Sequence, residues 1–207
     1  KNVSRDYLTA DELHSIETHT FRIKRLEQVK DVFLFVCYTG LSYSDLKTLT
    51  RDNLSKGIDG KTWIVYERKK TDVQARIPLL PMAQALIDKY ENDPECSAEN
   101  KILPVRSNQK LNSYLSEIAE ICDINKHITM HLGRHTFATT VTLTNGVPIE
   151  SVSKMLGHTS LKTTQIYSKV IDNKVSKEME DLSKLLENNK KKGENVNEKG
   201  DNNKIAL

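Results

Sequence analysis

Apolar residues recur three and four positions apart in several stretches, and this spacing predicts α-helices. The first helix begins near Thr9, where a capping box with Glu12 is expected, and Gly40 is a natural left-handed helix stop. The other predicted helices cover about Lys24–Tyr38, Ser42–Leu49, Pro81–Tyr90, Ser107–Cys122, Leu132–Leu143, Pro148–Leu156, Leu161–Ile166 and Val175–Leu186. Most of the chain is therefore expected to be helical.

The hydrophobic period changes in one stretch. Thr62–Tyr66 is rich in β-branched and aromatic residues, it follows a turn-forming Gly57–Gly60 segment, and a third strand is expected over Val73–Leu79. These features predict a small three-stranded antiparallel sheet across roughly Asn53–Leu80. The fold class is therefore α+β, mainly α-helical. Glu91–Asn100 is expected to be a polar loop.

The composition is that of an ordinary folded domain. The chain has 207 residues, of which 37% are hydrophobic and 29% are charged. Its longest apolar run, Val32–Tyr38, is far below the roughly 18 residues that a membrane span needs. Three scattered cysteines argue against a disulfide framework or a zinc knuckle and favour a reducing cytosol. We therefore expect a cytoplasmic protein.

Domain boundaries follow from the loss of apolar residues near the end. After Asn188 the sequence is almost entirely polar, so residues 189–207 are predicted to be a disordered tail and residues 1–188 a single domain. The chain begins at Lys1 rather than Met, and we expect it to be a fragment of a longer protein.

The distribution of charge is more informative than the net charge of +3. Residues 127–170 contain four basic side chains and one acidic one, together with four of the six histidines. A segment that is poor in carboxylates and rich in His and Arg suits an anionic partner such as phosphate.

Two clusters in this segment carry candidate chemistry. On a helix, His131 and Arg134 lie three positions apart and share a face, and the Arg134 fork matches phosphate oxygens. Taken alone, this pair is better explained as an exposed polar face. Tyr167 follows His158 by nine residues, and a phenol is a competent nucleophile at phosphorus when cationic groups surround the reaction centre. Taken alone, Tyr167 is better explained as a half-buried aromatic.

The joint pattern is specific. His-x-x-Arg-His-Thr-Phe-Ala-Thr occurs at His131–Thr139, and Leu-Gly-His-x-Ser-x-x-Thr-Thr-x-x-Tyr occurs at Leu156–Tyr167. In this order the two motifs resemble the catalytic domain of the tyrosine recombinases, the phage integrase family. The resemblance covers about Leu8–Ser168 and implies that family's catalytic fold.

The resemblance also implies a reaction that needs neither a metal nor a cofactor, and it implies residue roles. Tyr167 would attack a DNA phosphodiester and form a 3′-phosphotyrosyl link. Arg134 would bind a nonbridging oxygen of the scissile phosphate, His131 would handle a proton near the nucleophile, and His158 would donate a hydrogen bond to the phosphate. A lysine in the hairpin between the second and third strands, assigned to Lys70, would protonate the leaving 5′-oxygen. The residues expected at the DNA contacts are Lys69, Lys162 and His135, the last in a structural role.

One position departs from the family pattern. The family's first arginine falls at Ser42, within Thr39–Leu46, although every neighbour fits. A hydroxyl supplies neither the charge nor the two-pronged contact of a guanidinium, so the chain is either an inactive DNA-binding protein or has relocated the arginine. Arg68 is the best candidate, because a regular strand would project it from the same face as Lys70. Weaker candidates are Lys30, Arg25 and Arg76.

The resemblance implies partners as well. Integrases of bacterial conjugative and mobilizable transposons share the serine, so we expect an active site-specific recombinase of a mobile element. The partner would be double-stranded DNA, held by a homotetramer of the full-length protein, with this fragment monomeric in solution. The 175–188 helix would dock on a neighbouring protomer or fold back on its own domain. A DNA-binding protein without catalysis and a type IB topoisomerase are the alternatives.

Overall fold

The computed structural model describes residues 6–69, 73–167, 175–176 and 178–187. These residues fall into two compact units, one that ends at Tyr167 and one that begins after it. The first unit contains eight α-helices among its described residues and a three-stranded sheet, which confirms the predicted α+β class.

The helix bounds agree closely with the apolar spacing. Thr9 caps the first helix as predicted: its side chain accepts from Glu12 N, and the Glu12 side chain accepts from Thr9 N. The helices are α1 (Ala10–Thr18), α2 (Lys24–Thr39), α3 (Tyr43–Thr48), α4 (Pro81–Lys89), α5 (Pro94–Ala98), α6 (Asn108–Ile121), α7 (Met130–Thr136) and α8 (Ile149–Met155).

Helix α2 is the centre of the first unit. It contacts α1, α4, α6 and α7, and a helix with neighbours on several sides is buried nearly all round. Its buried polar residues are paired, since Lys30 Nζ donates to His19 O at 2.8 Å and Asp31 accepts from the Tyr90 hydroxyl at 2.7 Å. The core therefore packs around α2 while the charged groups of Lys30 and Asp31 keep hydrogen-bond partners.

The sheet has the order β1-β2-β3, with β1 at Leu54–Lys56, β2 at Thr62–Glu67 and β3 at Gln74–Pro78. Both pairs are antiparallel, and Ile64 faces Leu54 on one side and Ile77 on the other. The pairing continues past the end of β2, because Arg68 N donates to Val73 O at 3.0 Å. The hairpin between β2 and β3 therefore carries Arg68 and Lys69 beyond the sheet.

One local prediction was wrong, and one predicted helix is present but differs in type. The segment expected to be a polar loop contains α5, which Asp93 caps through Cys96 N and which buries Cys96. The helix predicted over Leu132–Leu143 changes type: α7 passes into a π-helical segment at Phe137–Thr142 and then a 3₁₀ turn at Leu143–Asn145. Thr142 Oγ1 donates to Phe137 O and Ala138 O, which satisfies carbonyls in the wider turns.

The end of the chain is only partly described. The predicted helix at Leu161–Ile166 is two 3₁₀ turns, Leu161–Thr163 and Gln165–Tyr167. In the second unit, residues 175–176 and 178–187 are helical, in agreement with the helix predicted there. The predicted disordered tail, 189–207, lies outside the described residues, and the domain boundary at 188 stays a prediction.

Gly40 ends α2 in a left-handed turn that packs against Phe137. A comparison of Gly40 with Gly60 tests whether this packing requires a glycine. Gly40 and Gly60 both have positive φ, but a Cβ at Gly40 would lie 2.3 Å from the Phe137 ring, whereas a Cβ at Gly60 meets nothing within 4 Å. Gly60→Ala should cost about 1–2 kcal/mol from backbone strain alone. Gly40→Ala should cost about 1–3 kcal/mol more, from overpacking. Urea unfolding of both variants measures the difference, and equal losses would show that the Phe137 contact does not limit this turn.

Candidate active site

Arg134 is the best-anchored side chain of the candidate site. It follows the first turn of α7, which Thr129 caps through Leu132 N, and it is only 4% exposed. Its Nη1 donates to Gly40 O at 2.5 Å and its Nη2 donates to Leu156 O at 2.6 Å. The guanidinium is thus held between the end of α2 and the end of α8.

His158 lies directly beside Arg134. Its Nε2 is 3.2 Å from Arg134 Nη2, and its Nδ1 is 2.8 Å from the hydroxyl of the fully buried Thr164. Burial, and then the positive charges of Arg134 and Arg68, lower the pKa of His158 to about 4. The imidazole is therefore neutral at neutral pH.

Arg68 reaches the same place from the sheet. Its Nη1 donates to Gly157 O at 2.9 Å, next to the Leu156 carbonyl that holds Arg134. Burial lowers the pKa of Arg134, and the charge of Arg68 lowers it further. The guanidinium groups of Arg134 and Arg68 thus donate to consecutive backbone carbonyls, those of Leu156 and Gly157.

Gly157 is required for this approach. It has a φ of +63°, and a Cβ built on it would lie 2.9 Å from Cδ of Arg68. A larger residue would therefore strain the turn and push the Arg68 side chain away.

Ser42 and Asp45 tie α3 to the hairpin. Ser42 Oγ caps α3 by accepting from Asp45 N and donates to Asp45 Oδ2 at 2.6 Å. The buried Asp45 carboxylate also accepts from Lys69 N at 3.3 Å and lies 3.7 Å from Arg68 Nε. One carboxylate thus contacts both the serine that stands in the arginine position and the arginine proposed to replace it.

Tyr167 ends the second 3₁₀ turn and is buried, with 5% exposure. Its hydroxyl is hydrogen-bonded to Nδ1 of His135, which is itself buried. The two ring centroids are 5.5 Å apart. The expectation that His135 lies among the DNA contacts meets a physical obstacle, because a buried ring bonded to Tyr167 does not face the surface.

His131 is exposed and opens into a cleft of about 300 Å³. The cleft is also lined by Arg134 and Ser42, and by Asn108 and Asn112 of α6. A cationic fork at the base of a polar cleft suits a phosphate oxygen.

The remaining candidates are spread around this centre. Lys69 and Lys162 are exposed, and Lys70 lies outside the described residues. The weaker replacements for the missing arginine are engaged elsewhere: Arg25 with Glu117 and Tyr114, Lys30 with Glu27 and His19, and Arg76 with the Trp63 ring.

Sequence reasoning missed two contacts. It gave no role to Asp45 beyond its place in the Ser42–Leu49 helix, and it gave His135 no contact with Tyr167. The spacing of His131 and His135 offered a partial signal that was not used, since residues four apart share a helix face. The partner of that face comes from a turn 32 residues away, which spacing does not reveal.

Two features are not found in the part of the chain that the structure describes. Within the described residues, no group of three or more His, Cys, Asp or Glu side chains is arranged to hold a metal ion. None of the described helices is both long enough and apolar enough to cross a membrane.

Comparison with known proteins gives a consistent result. A tyrosine recombinase of Pseudothermotoga lettingae is 29% identical over 192 residues, which are 88% of this chain and 61% of that protein. Alignments with four other tyrosine recombinases span 21% to 48% of those proteins. The chain therefore spans less than two thirds of the length of each of these relatives, and about half or less of the last four.

Solved structures agree on the fold. The XerA recombinase superimposes with a TM-score of 0.68 at 22% identity, over 86% of this chain and 65% of that one. The Tn1549 transposon integrase, determined in complex with transposon right end DNA, has a TM-score of 0.59 at 17% identity, over 88% of this chain and 67% of that one.

The model of the phage integrase family matches residues 6–174. This match includes α1 to α8, the sheet and the turn that carries Tyr167. The chain therefore belongs to the phage integrase family, the tyrosine recombinases.

Proposed function

We propose that this chain cleaves and rejoins DNA by tyrosine recombinase chemistry, in the integration and excision of a mobile element. The observation that carries the proposal is the convergence of Arg134, His158 and Arg68 at the end of α8, just before the turn that carries Tyr167. These cationic and neutral donors suit the charge that develops on a phosphate under attack. The structure of the Tn1549 integrase, which has a similar fold, was determined in complex with transposon DNA. We propose that this chain also binds double-stranded DNA.

Each role follows from chemistry at a named atom. Tyr167 attacks the scissile phosphorus, and the phosphotyrosyl link retains the bond energy for rejoining. Arg134 holds a nonbridging oxygen, and His158 assists it as a neutral ring. Lys70, which lies outside the described residues, protonates the leaving 5′-oxygen. Lys69 and Lys162, both exposed, contact the DNA backbone.

Arg68 takes the place of the missing family arginine in this proposal. Its support is the shared anchor with Arg134 on the Leu156 and Gly157 carbonyls, together with the Asp45 carboxylate beside Ser42. A guanidinium that enters from the strand side brings the second fork close to Arg134 without a side chain from position 42.

Assembly is the next part of the proposal. We expect the full-length protein to act as a tetramer on two duplexes in the bacterial cytoplasm, where its DNA is. In the helix at 178–187, Met179, Leu182, Leu185 and Leu186 present an exposed apolar face. Such a face is suited to docking on a neighbouring protomer.

The alternative function is a DNA-binding protein of the same fold without catalysis. Ser42 is the observation that favours it, since the family arginine is absent there. A binder would keep the phosphate contacts of Arg134 but would form no covalent link.

The first prediction tests the nucleophile. A pool of nicked suicide duplexes of random sequence traps covalent products, because the released short strand diffuses away before rejoining. The chain should form a protein–DNA adduct on a denaturing gel, and Tyr167→Phe should form none while binding the same duplexes. Adducts that persist in Tyr167→Phe would rule out Tyr167, and a wild-type chain that binds without an adduct would favour the alternative. The DNA sites are recovered by sequencing the duplexes trapped in the adduct. Recombination between two copies of a recovered site, rather than relaxation alone, separates an integrase from a topoisomerase.

The second prediction concerns Arg68. Arg68→Ala should slow single-turnover cleavage by about 10²–10³-fold, by analogy with the loss of an oxyanion donor. Arg68→Lys keeps the charge beside Asp45 but lacks the fork, so it should recover only part of the rate. Arg76→Ala is the matched control, because Arg76 lies on the same sheet but over the Trp63 ring. A fully active, folded Arg68→Ala would remove Arg68 from the site.

The third prediction concerns His158. Its pKa is about 4 in the folded chain, whereas the ordinary pKa of a histidine is 6.5, so between these pH values the unfolded state binds a proton that the folded state does not. The free energy of unfolding should therefore rise from pH 4 to pH 6.5, and His158→Asn should show a shallower rise. Urea titrations at several pH values measure it. Equal slopes for the two proteins would contradict a depressed pKa at His158.

A further inference from the structure

Tyr167 meets a histidine other than the one that the family pattern assigns to proton handling. Its hydroxyl is bonded to Nδ1 of His135, and both residues are buried, with 5% and 6% exposure. For the phenol to attack phosphorus, its proton must leave Oη. In a buried setting the atom already hydrogen-bonded to Oη is a ready acceptor.

The ring chemistry of His135 permits this transfer. A neutral imidazole protonated on Nε2 has a lone pair on Nδ1, which accepts from the phenol O–H. The ring planes of His135 and Tyr167 are tilted by 66°, in an edge-on contact that directs Nδ1 at the hydroxyl. The geometry thus has the form of a nucleophile paired with a general base.

His131 occupies the next position on the same face of α7. Its ring centroid is 4.3 Å from that of His135, and the two planes are nearly perpendicular. His131 is exposed and lines the cleft with Arg134. The two histidines therefore face different groups: His131 faces the cleft, and His135 faces Tyr167. The His135 ring is oriented by its contacts with His131 and Tyr167.

We propose that His135 is the residue that takes the proton from Tyr167 during cleavage, and that His131 serves the phosphate side of the cleft. The proposal rests on the proposed function. In the step, the Oη–H bond breaks as the proton passes to His135 Nδ1, the Oη–P bond forms, and the P–O5′ bond breaks. The 5′-oxygen leaves with a proton from the general acid assigned to Lys70. In rejoining, His135 returns its proton to Oη.

A competing explanation is that the same bond only holds Tyr167 back before DNA binds. The two explanations predict opposite results when His135 is replaced. Removal of a holding contact frees the nucleophile and speeds cleavage. Removal of a base slows cleavage. This reduction in rate becomes smaller when the phenol is made more acidic, because a more acidic phenol depends less on a base to lose its proton.

The test uses the suicide duplex recovered above and single-turnover rates of adduct formation. His135→Asn keeps an acceptor oxygen near the Nδ1 position but removes the basic nitrogen. It should be about 10²-fold slower than wild type. Incorporation of 3,5-difluorotyrosine at position 167 should raise the rate of His135→Asn at least tenfold more than it raises the wild-type rate. The matched control is His127→Asn, at an exposed histidine close in sequence, which should cleave at the wild-type rate.

Several results would overturn the proposal. Cleavage by His135→Asn at or above the wild-type rate would mean that the bond only restrains Tyr167. A slow variant that difluorotyrosine does not rescue would mean that His135 acts through packing. If wild type itself forms no adduct, the proposed function fails instead.

A second measurement needs neither cleavage nor a His135 variant. In the ¹⁵N spectrum of the wild-type chain, His135 Nδ1 should have the shift of an unprotonated nitrogen that accepts a hydrogen bond, and Tyr167→Phe should move that signal. A protonated Nδ1 at neutral pH would overturn the proposal, because the phenol oxygen would then be the acceptor.

Discussion

The site depends on holding two guanidinium groups together in a buried place before any anion arrives. Arg134 and Arg68 repel each other, and burial of either charge is unfavourable. The protein offsets this with three backbone carbonyls, those of Gly40, Leu156 and Gly157, and with the Asp45 carboxylate. Because the carbonyls belong to the ends of α2 and α8, the positions of these helix ends fix the spacing of the two charges. Donors fixed in advance need little rearrangement when negative charge develops between them.

The serine at position 42 fits into this arrangement as a structural residue. It caps α3 and donates to Asp45, so the carboxylate is oriented toward Arg68 and the hairpin backbone at Lys69. An arginine at 42 would bring a third positive group to a cleft wall that also holds Arg134. Ser42 and its proposed replacement, Arg68, thus share one carboxylate: α3 supplies Asp45, and the hairpin supplies the guanidinium.

The sequence predicts most of this fold because its helices and strands are defined by local patterns. The α2 spacing, the Thr9 capping box and the β2–β3 alternation each encode their own element, and each is present. The α5 helix was missed because its five residues are too few for a period to show, and the π-helical turns after α7 depend on Thr142 reaching two carbonyls. For the site, two motifs predicted which residue types meet. They did not predict that His135 would face Tyr167, because that contact joins α7 to a turn from another part of the chain.

The turn that ends at Tyr167 connects His158, beside Arg134, to the proposed nucleophile. His158 Nδ1 is bonded to the Thr164 hydroxyl, and Thr164 O accepts from Tyr167 N at 3.1 Å. Two hydrogen bonds, both made by Thr164, therefore connect the imidazole of His158 to the backbone of Tyr167. Under the proposed function, a phosphate that changes the hydrogen bonding of His158 would also act on Thr164, in the turn whose last residue is the proposed nucleophile. At its side-chain end, Tyr167 is held by His135, one residue along α7 from Arg134. Both ends of Tyr167 thus lie within a few contacts of Arg134 and His158, the two groups expected to bind the phosphate.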